Sequence, residues 1–295
     1  MSEKSTARRA TIALTATLVL LAGGVAAFVL LSQPGGLLAP ARSQSTSSDT
    51  ASQSASSGSA ATSTSAAPAT TATTTADPLG NGRLAKMIAA GDIRSIRLIG
   101  DSITAGWLCD GFGEYPDTDV VIYSGPQGTY NETSPQVACW ANDFRTWASA
   151  HGVTSFVNAG IPGFRMEYLA QAPDAWLADG ADLTIVMLGT NDACHCSVDE
   201  FRAFAATGIA AAAEKSKELV VVCPPDNART DASPLYGMDQ IASALEAVCA
   251  EQGRTCVSQL DTLTVGTADF NEDNVHPTSA GSHKLWQALK SKLEL

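Results

Sequence analysis

Short apolar strands alternate with helices throughout the C-terminal part of the chain, and this alternation restricts the possible folds more than any other feature. The segments "ADLTIVMLGTND" (181–192) and "ELVVVCPP" (218–225) are almost continuously apolar before their polar ends, as in strands buried on both faces. A segment with helical spacing, "VDEFRAFAATGIAAAAEKS" (198–216), lies between them. Strands that alternate with helices form a parallel sheet covered by helices on both faces. The sequence therefore predicts an α/β fold, a three-layer α/β/α sandwich with a central parallel sheet, over residues 81–295.

The amino-terminal segment has the composition of a membrane anchor. Residues 1–9 carry three cations, and residues 10–32 contain no charged side chain. About 20 apolar residues span a bilayer, and a cationic flank stays on the cytoplasmic side. We therefore expect a cytoplasmic segment at 1–9, a transmembrane anchor or uncleaved signal at 10–32, and everything after it outside the cytoplasm. A cleaved signal peptide is the alternative, although its apolar region is usually only about 7–15 residues long.

Residues 33–80 consist mainly of Ser, Thr and Ala and contain very few charges. Such a composition cannot bury a hydrophobic core, so we expect a disordered linker. The linker would hold the folded domain away from the membrane.

Charge and cysteine content limit the partners and cofactors. The chain has 18 basic and 30 acidic residues, a net charge of -12, so we expect no nucleic-acid partner. Seven cysteines suit an exported protein, and the spacing offers two candidate disulfides, Cys249 with Cys256 and Cys109 with Cys139. The run Cys194-His195-Cys196 lacks the ligand spacing of a zinc site, so we expect neither a metal nor an organic cofactor.

Polar motifs follow three predicted strands, and a fourth precedes the last predicted helix. Gly100-Asp101-Ser102 follows "SIRLIG", "NAGIPG" (158–163) includes Gly160, and "GTND" (189–192) includes Asn191. The fourth motif is "DNVHP" (273–277), with Asp273 three residues before His276. Ligands of parallel α/β sheets bind beyond the carboxyl ends of the strands, so these motifs should meet at one edge of the sheet.

These four segments, in this order, resemble the motif blocks of the SGNH hydrolase family, also called GDSL-type esterases. The first block reads GDSI rather than GDSL, and the resemblance covers most of residues 81–295. It implies a catalytic triad of Ser102, Asp273 and His276. It also implies an oxyanion hole formed by the backbone N–H groups of Ser102 and Gly160 and the side chain of Asn191.

The residue types fit that chemistry. A serine hydroxyl becomes a useful nucleophile when a histidine takes its proton, and a carboxylate fixes the histidine tautomer. Taken singly, Ser102 could be a helix cap, Asn191 a turn residue and His276 a loop residue. Of the remaining histidines, His151 and His283 have no acid three residues earlier, and His195, which has Asp192 at that spacing, follows a cysteine in a loop. Asp101 and Asp192 are expected to hydrogen-bond locally within their loops.

We therefore predict an extracytoplasmic serine esterase that hydrolyses small O-acyl esters, acetyl foremost, on carbohydrate through an acyl-enzyme on Ser102. Aromatic residues after the first strand are candidates for stacking on sugar rings, with loop packing as the alternative: Trp107, Tyr115, Tyr123 and Tyr130. The GxSxG nucleophile elbow is absent from the sequence. The alternative functions are an O-acetyltransferase on cell-wall glycan, a lipase or lysophospholipase, and a non-enzymatic, stalked carbohydrate-binding module.

Overall fold

The computed structural model describes residues 79–295. The predicted cytoplasmic segment, the anchor at 10–32 and nearly all of the linker at 33–80 lie outside these residues. Within 79–295, no helix is both long enough and apolar enough to cross a membrane.

Helices and strands alternate along the described chain, as the sequence predicts. The strands are β1 (Ser95–Gly100), β2 (Val121–Gly125), β3 (Gly128–Asn131), β4 (Ser155–Gly160), β5 (Ala181–Met187), β6 (Ser216–Cys223) and β7 (Thr255–Ser258). The helices are α1 (Arg83–Ala90), α2 (Ser102–Ala105), α3 (Trp140–Ala150), α4 (Met166–Gln171), α5 (Pro173–Leu177), α6 (Val198–Glu214), α7 (Met238–Gln252) and α8 (Ser279–Lys292), with a 3₁₀ turn at Asp192–Cys194. The proline interruption predicted for the segment after β4 separates α4 from α5.

Five strands form a parallel sheet in the order β4-β1-β5-β6-β7. Side chains alternate between its faces: Leu98 and Val222 belong to one buried apolar cluster, and Ile99 and Val221 to another. The first cluster includes side chains of α1, α3 and α8, and the second includes side chains of α4 to α7. Helices thus cover both faces, and the predicted α/β fold with a central parallel sheet is confirmed.

The long segment between β1 and α3 contains an element that the sequence analysis did not predict. Strands β2 and β3 pair in an antiparallel hairpin across Pro126 and Gln127, apart from the main sheet. The sequence pattern that could have predicted this hairpin is a pair of short strand-like runs, "VIYSG" and "GTYN", on either side of a two-residue connection. The hairpin forms one wall of a cavity beside the strand ends.

Neither candidate disulfide is formed, because all seven cysteines, which lie within the described residues, are free thiols. Cys109 and Cys139 are both buried in the apolar cluster that includes α3 and α8. The Sγ atom of Cys256 lies 3.6 Å from that of Cys223, a neighbour that the linear spacing did not indicate.

Two glycines allow β1 and β4 to end beside α2. Gly100 and Gly160 are register partners at the carboxyl ends of the two strands. A Cβ atom on Gly100 would lie 2.1 Å from the Thr104 hydroxyl oxygen, and one on Gly160 would lie 2.4 Å from the backbone nitrogen of Ala105. Any side chain at either position would therefore displace the short helix that begins at Ser102.

Candidate active site

Ser102 begins helix α2 directly after β1. The side chain of Asp101 caps this helix by accepting the N–H of Ile103 at 2.9 Å. Burial raises the pKa of Asp101 to about 6. This is the local hydrogen bond that the sequence analysis expected for Asp101. It fixes the backbone at the start of the helix that carries Ser102.

Ser102, His276 and Asp273 form one hydrogen-bonded chain. Nε2 of His276 lies 2.8 Å from Oγ of Ser102, and Nδ1 lies 2.6 Å from Oδ2 of Asp273. Burial alone would raise the pKa of Asp273, but hydrogen bonds from the backbone and ring of His276 outweigh it and hold the pKa below its ordinary value. The carboxylate therefore stays ionised beside the imidazole.

The loop that carries the histidine is held by its own hydrogen bonds. Oδ1 of Asp273 accepts the N–H groups of Val275 and His276 at 2.9 and 3.0 Å. The amide of Asn271 donates to the carbonyls of His276 and Pro277 at 3.1 and 3.0 Å. These bonds fix the ring before α8 begins.

Asn191 faces the loop that follows β4. Its side-chain amide donates to the carbonyl of Phe164 at 3.1 Å. The backbone carbonyl of Asn191 accepts a hydrogen bond from Nδ1 of the His195 ring at 2.6 Å. Asp192 is fully buried and accepts the N–H of Met166 at 3.0 Å; burial raises its pKa to about 7. The "GTND" turn is thereby fastened to the start of α4.

Gly160 is not placed as the resemblance implies. Its N–H already donates to Oδ1 of Asn158 at 3.0 Å, and it lies within β4. Asn158 is fully buried and also donates to the carbonyl of Thr104 at 3.0 Å, so it joins β4 to the helix of Ser102. Gly163, three residues later, has a φ of +81°, and its N–H has no acceptor among the described residues. The sequence analysis did not single out Gly163, and the signal that could have found it is the second glycine of "NAGIPG".

The other histidines are bonded elsewhere. Nδ1 of His151 contacts the carbonyl of Trp147 at 2.7 Å, and Nδ1 of His283 contacts Asp143 at 2.9 Å. Neither interaction involves the hydroxyl of Ser102.

A cavity of about 500 Å³ lies beside the carboxyl end of β4. Its walls combine aromatic and polar side chains from the β1–α3 segment with the backbone after β4: Phe112, Tyr115, Asp117, Tyr130, Asn131 and Gly160–Pro162. Of the four aromatic candidates, Tyr115 and Tyr130 line this cavity. Tyr123 is instead fully buried against Phe164 and Trp176, so for this residue packing is the correct interpretation. Trp107 packs on Phe112, with its ring centroid 6.4 Å from that of His276.

Known proteins share both sequence motifs and fold with this chain. The model of the GDSL-like lipase/acylhydrolase family matches residues 98–284. A solved structure of an acetylxylan esterase mutant from Geobacillus stearothermophilus is 20% identical and covers 68% of this chain and 94% of its own, with a TM-score of 0.51. The lipase/acylhydrolase from Enterococcus faecalis is 22% identical and covers 68% and 96%, with a TM-score of 0.52.

A third similar structure is LAE5, an alpha/beta hydrolase enzyme from the metagenome of Lake Arreo, Spain. It is 18% identical and covers 68% of this chain and 94% of its own, with a TM-score of 0.52. At such identities, the likeness to these structures shows the fold alone. No curated protein matches the chain.

Proposed function

Because the chain belongs to the GDSL-like lipase/acylhydrolase family and is a serine ester hydrolase, we propose that it removes small O-acyl groups, acetyl foremost, from carbohydrate outside the cytoplasm. The observation that carries the proposal is the 2.8 Å contact between Oγ of Ser102 and Nε2 of His276. A hydroxyl bonded to an imidazole that a carboxylate holds in place is the arrangement that activates serine.

In the acylation step, Oγ of Ser102 attacks the ester carbonyl carbon while Nε2 of His276 takes the hydroxyl proton. The tetrahedral intermediate then collapses, and the sugar oxygen leaves with the proton from His276. A water molecule attacks the acyl-enzyme, again losing its proton to His276, and Ser102 is released. Ionised Asp273 stabilises the imidazolium formed in both halves of the reaction.

The negative oxygen of each intermediate needs hydrogen-bond donors. We assign this role to the N–H of Ser102, the side-chain amide of Asn191 and the N–H of Gly163. Gly163 replaces Gly160 in this proposal, because the N–H of Gly160 is already bonded to Asn158. The side-chain amide of Asn191 donates to the carbonyl of Phe164, the residue after Gly163. Asn191 therefore lies close to Gly163.

The cavity beside β4 supports a carbohydrate substrate. Tyr115 and Tyr130 offer ring faces, while Asp117 and Asn131 offer hydrogen-bonding groups to sugar hydroxyls. The cavity volume of about 500 Å³ exceeds the space that an acetyl group needs and suits a sugar unit. Gly160, which is part of the lining, is the register partner of Gly100, two residues before Ser102, so the cavity borders the strand ends that carry the nucleophile.

The extracytoplasmic location rests on the sequence. An uncharged stretch at 10–32 follows three cations, and the Ser/Thr/Ala-rich stretch at 33–80 would serve as a spacer. A domain on such a spacer could reach polysaccharide at the cell surface.

The test compares the full-length protein with Ser102→Ala on two substrates, p-nitrophenyl acetate and acetylated xylo-oligosaccharide. We expect acetate release from both with the natural protein, and a loss of at least about 10³-fold in the variant. Circular dichroism and thermal unfolding check that the variant is folded. Undiminished hydrolysis by a folded Ser102→Ala protein would refute the assignment of the nucleophile.

Substrate preference separates the alternatives. Turnover that increases from acetyl to long-chain esters would replace the carbohydrate proposal with a lipase or lysophospholipase. Acetyl transfer to an added oligosaccharide, at the expense of free acetate, would indicate an O-acetyltransferase. Glycan binding without any turnover would indicate a binding module.

A further inference from the structure

Three cysteine side chains meet at one edge of the central sheet, in a cluster that ester hydrolysis does not use. Cys223 ends β6, Cys256 lies in the edge strand β7, and Cys249 lies in the last turn of α7. The Sγ atoms of Cys223 and Cys256 are 3.6 Å apart, and the thiol of Cys249 is close enough to Cys256 to affect its pKa. One sulfur atom therefore has two thiol neighbours.

The three thiols differ in their access to solvent. Cys223 and Cys249 are fully buried in the core on one face of the sheet. Cys256 is partly exposed and lines a surface depression of about 450 Å³, together with Lys292. A small oxidant can therefore reach Cys256, while its two neighbours remain shielded.

Hydrogen bonding favours the thiolate form of Cys256. Thiol hydrogen bonds, from Cys223 first and then Cys249, lower the pKa of Cys256. The other partly exposed thiols behave differently, because burial raises the pKa of Cys194, and raises that of Cys196 to about 11. Thiolate character combined with exposure makes a cysteine susceptible to oxidation.

We propose that Cys256 is a hydroperoxide-reactive thiol and that one of the two buried thiols beside it resolves the oxidised product as a disulfide. In the first step, the Cys256 thiolate attacks one oxygen of the hydroperoxide: an S–O bond forms, the O–O bond breaks, and hydroxide or alkoxide leaves. In the second step, Cys223 or Cys249 attacks the sulfenic acid: an S–S bond forms, the S–O bond breaks, and water leaves with the thiol proton.

A disulfide with Cys223 would tie the edge strand to the adjacent strand β6, and one with Cys249 would tie it to helix α7. Cys223 is the register partner of Ser258, so Cys223 and Cys256 are diagonal neighbours on adjacent strands. Cys249 approaches from helix α7, seven residues earlier in the chain. Both cross-links leave the Ser102 site intact, so we expect ester hydrolysis to continue after oxidation.

The experiment uses the full-length protein, reduced and then treated with hydrogen peroxide at equimolar concentration. After the remaining thiols are blocked, trypsin cleavage at Arg229 and Arg254 places the three cysteines of the cluster on separate peptides. We expect mass spectrometry to find the peptide 255–284 joined to 218–229 or to 230–254. In a variant that combines Cys223→Ser with Cys249→Ser, dimedone should instead trap a sulfenic acid on Cys256.

Cys194 and Cys196 share the peptide 166–202 and serve as the internal control. Their oxidation before that of Cys256, or an unmodified Cys256 in folded protein, would overturn the proposal. Sulfinic acid on Cys256 without any cross-link in the natural protein would overturn the resolving role of its neighbours. If the double variant does not fold, loss of maleimide labelling at each cysteine of the natural protein gives the same ranking.

Discussion

Nε2 of His276 lies 2.8 Å from Oγ of Ser102, although 174 residues separate them in the chain. The two segments are joined by further contacts. The N–H of Asp110, in the segment after Ser102, donates to the hydroxyl of Ser279 at the start of α8 at 2.9 Å. The thiol of Cys109 contacts the carbonyl of Pro277 at 3.6 Å. The start of α8 is thereby held against the segment that follows the serine.

Asp273→Asn should reduce kcat by about 10⁴-fold, with KM for p-nitrophenyl acetate almost unchanged. The asparagine would keep the shape of the carboxylate, but its amide can hold the ring of His276 in the wrong tautomer. Steady-state kinetics measures the effect, and thermal unfolding shows whether the variant is folded. A folded variant within tenfold of the natural kcat would show that the 2.6 Å contact with Asp273 is structural only.

Asn191→Ala should lower kcat by about 10²–10³-fold, because it removes one donor to the negative oxygen. The donor acts only in the transition state, so kcat and kcat/KM should fall equally. Gly163→Ala should also reduce kcat, since a φ of +81° is strained for alanine and the N–H would move. A normal kcat in a folded Asn191→Ala protein would remove this residue from the proposed oxyanion hole.

Asp192 should make the protein less stable as the pH rises. Burial raises its pKa to about 7, so between about pH 4 and 7 the folded state holds a proton that the unfolded state has released. The stability that this group contributes is therefore complete below the unfolded pKa and is lost as the pH rises through the folded pKa. The loss is at most about 4 kcal/mol, because one pKa unit corresponds to about 1.4 kcal/mol.

Urea unfolding of Asp192→Asn at pH 5 and pH 8 measures this effect. The free energy of unfolding of the natural protein should fall relative to that of the variant as the pH rises from 5 to 8. Asp182→Asn is the control: the pKa of Asp182 is lowered to about 2, because the ion pair with Lys217 and backbone hydrogen bonds outweigh burial. Asp182 is therefore ionised in both states above pH 5, and its variant should show a constant offset. An equally constant offset for Asp192→Asn would contradict the prediction.

Tyr115→Ala should raise KM for acetylated xylo-oligosaccharide several-fold and leave p-nitrophenyl acetate hydrolysis unchanged. Ring contacts are worth about 0.5–1.5 kcal/mol, which corresponds to about a 2–12-fold change in affinity. Tyr115→Phe keeps the ring and should retain most of the affinity, so the two variants separate stacking from hydrogen bonding. Equal KM values for Tyr115→Ala and the natural protein would exclude this residue from sugar binding.

Local patterns predicted most of the scaffold. The strand "ADLTIVM" and the helix at 198–214 appear where period and apolar content place them, because those signals come from neighbouring residues. The β2–β3 hairpin was missed, since its two strands are short and lie in a segment without clear periodicity. Tyr123 and Tyr130 show the same limit: both belong to this hairpin, but packing against Phe164 and Trp176 buries Tyr123, whereas Tyr130 borders the cavity.

Local patterns along the chain were enough to predict the order of strands and helices, the parallel sheet and the residue types of the serine, histidine and aspartate motifs. Three contacts became known only from the folded chain: the ring of His276 reaches Ser102, Asn158 accepts the N–H of Gly160, and Cys256 lies beside Cys223. The difference lies in the separation along the chain of the residues that each kind of interaction joins. Periodicity and turn chemistry act over a few residues, whereas these contacts join segments that are distant in sequence and depend on how helices pack against the sheet.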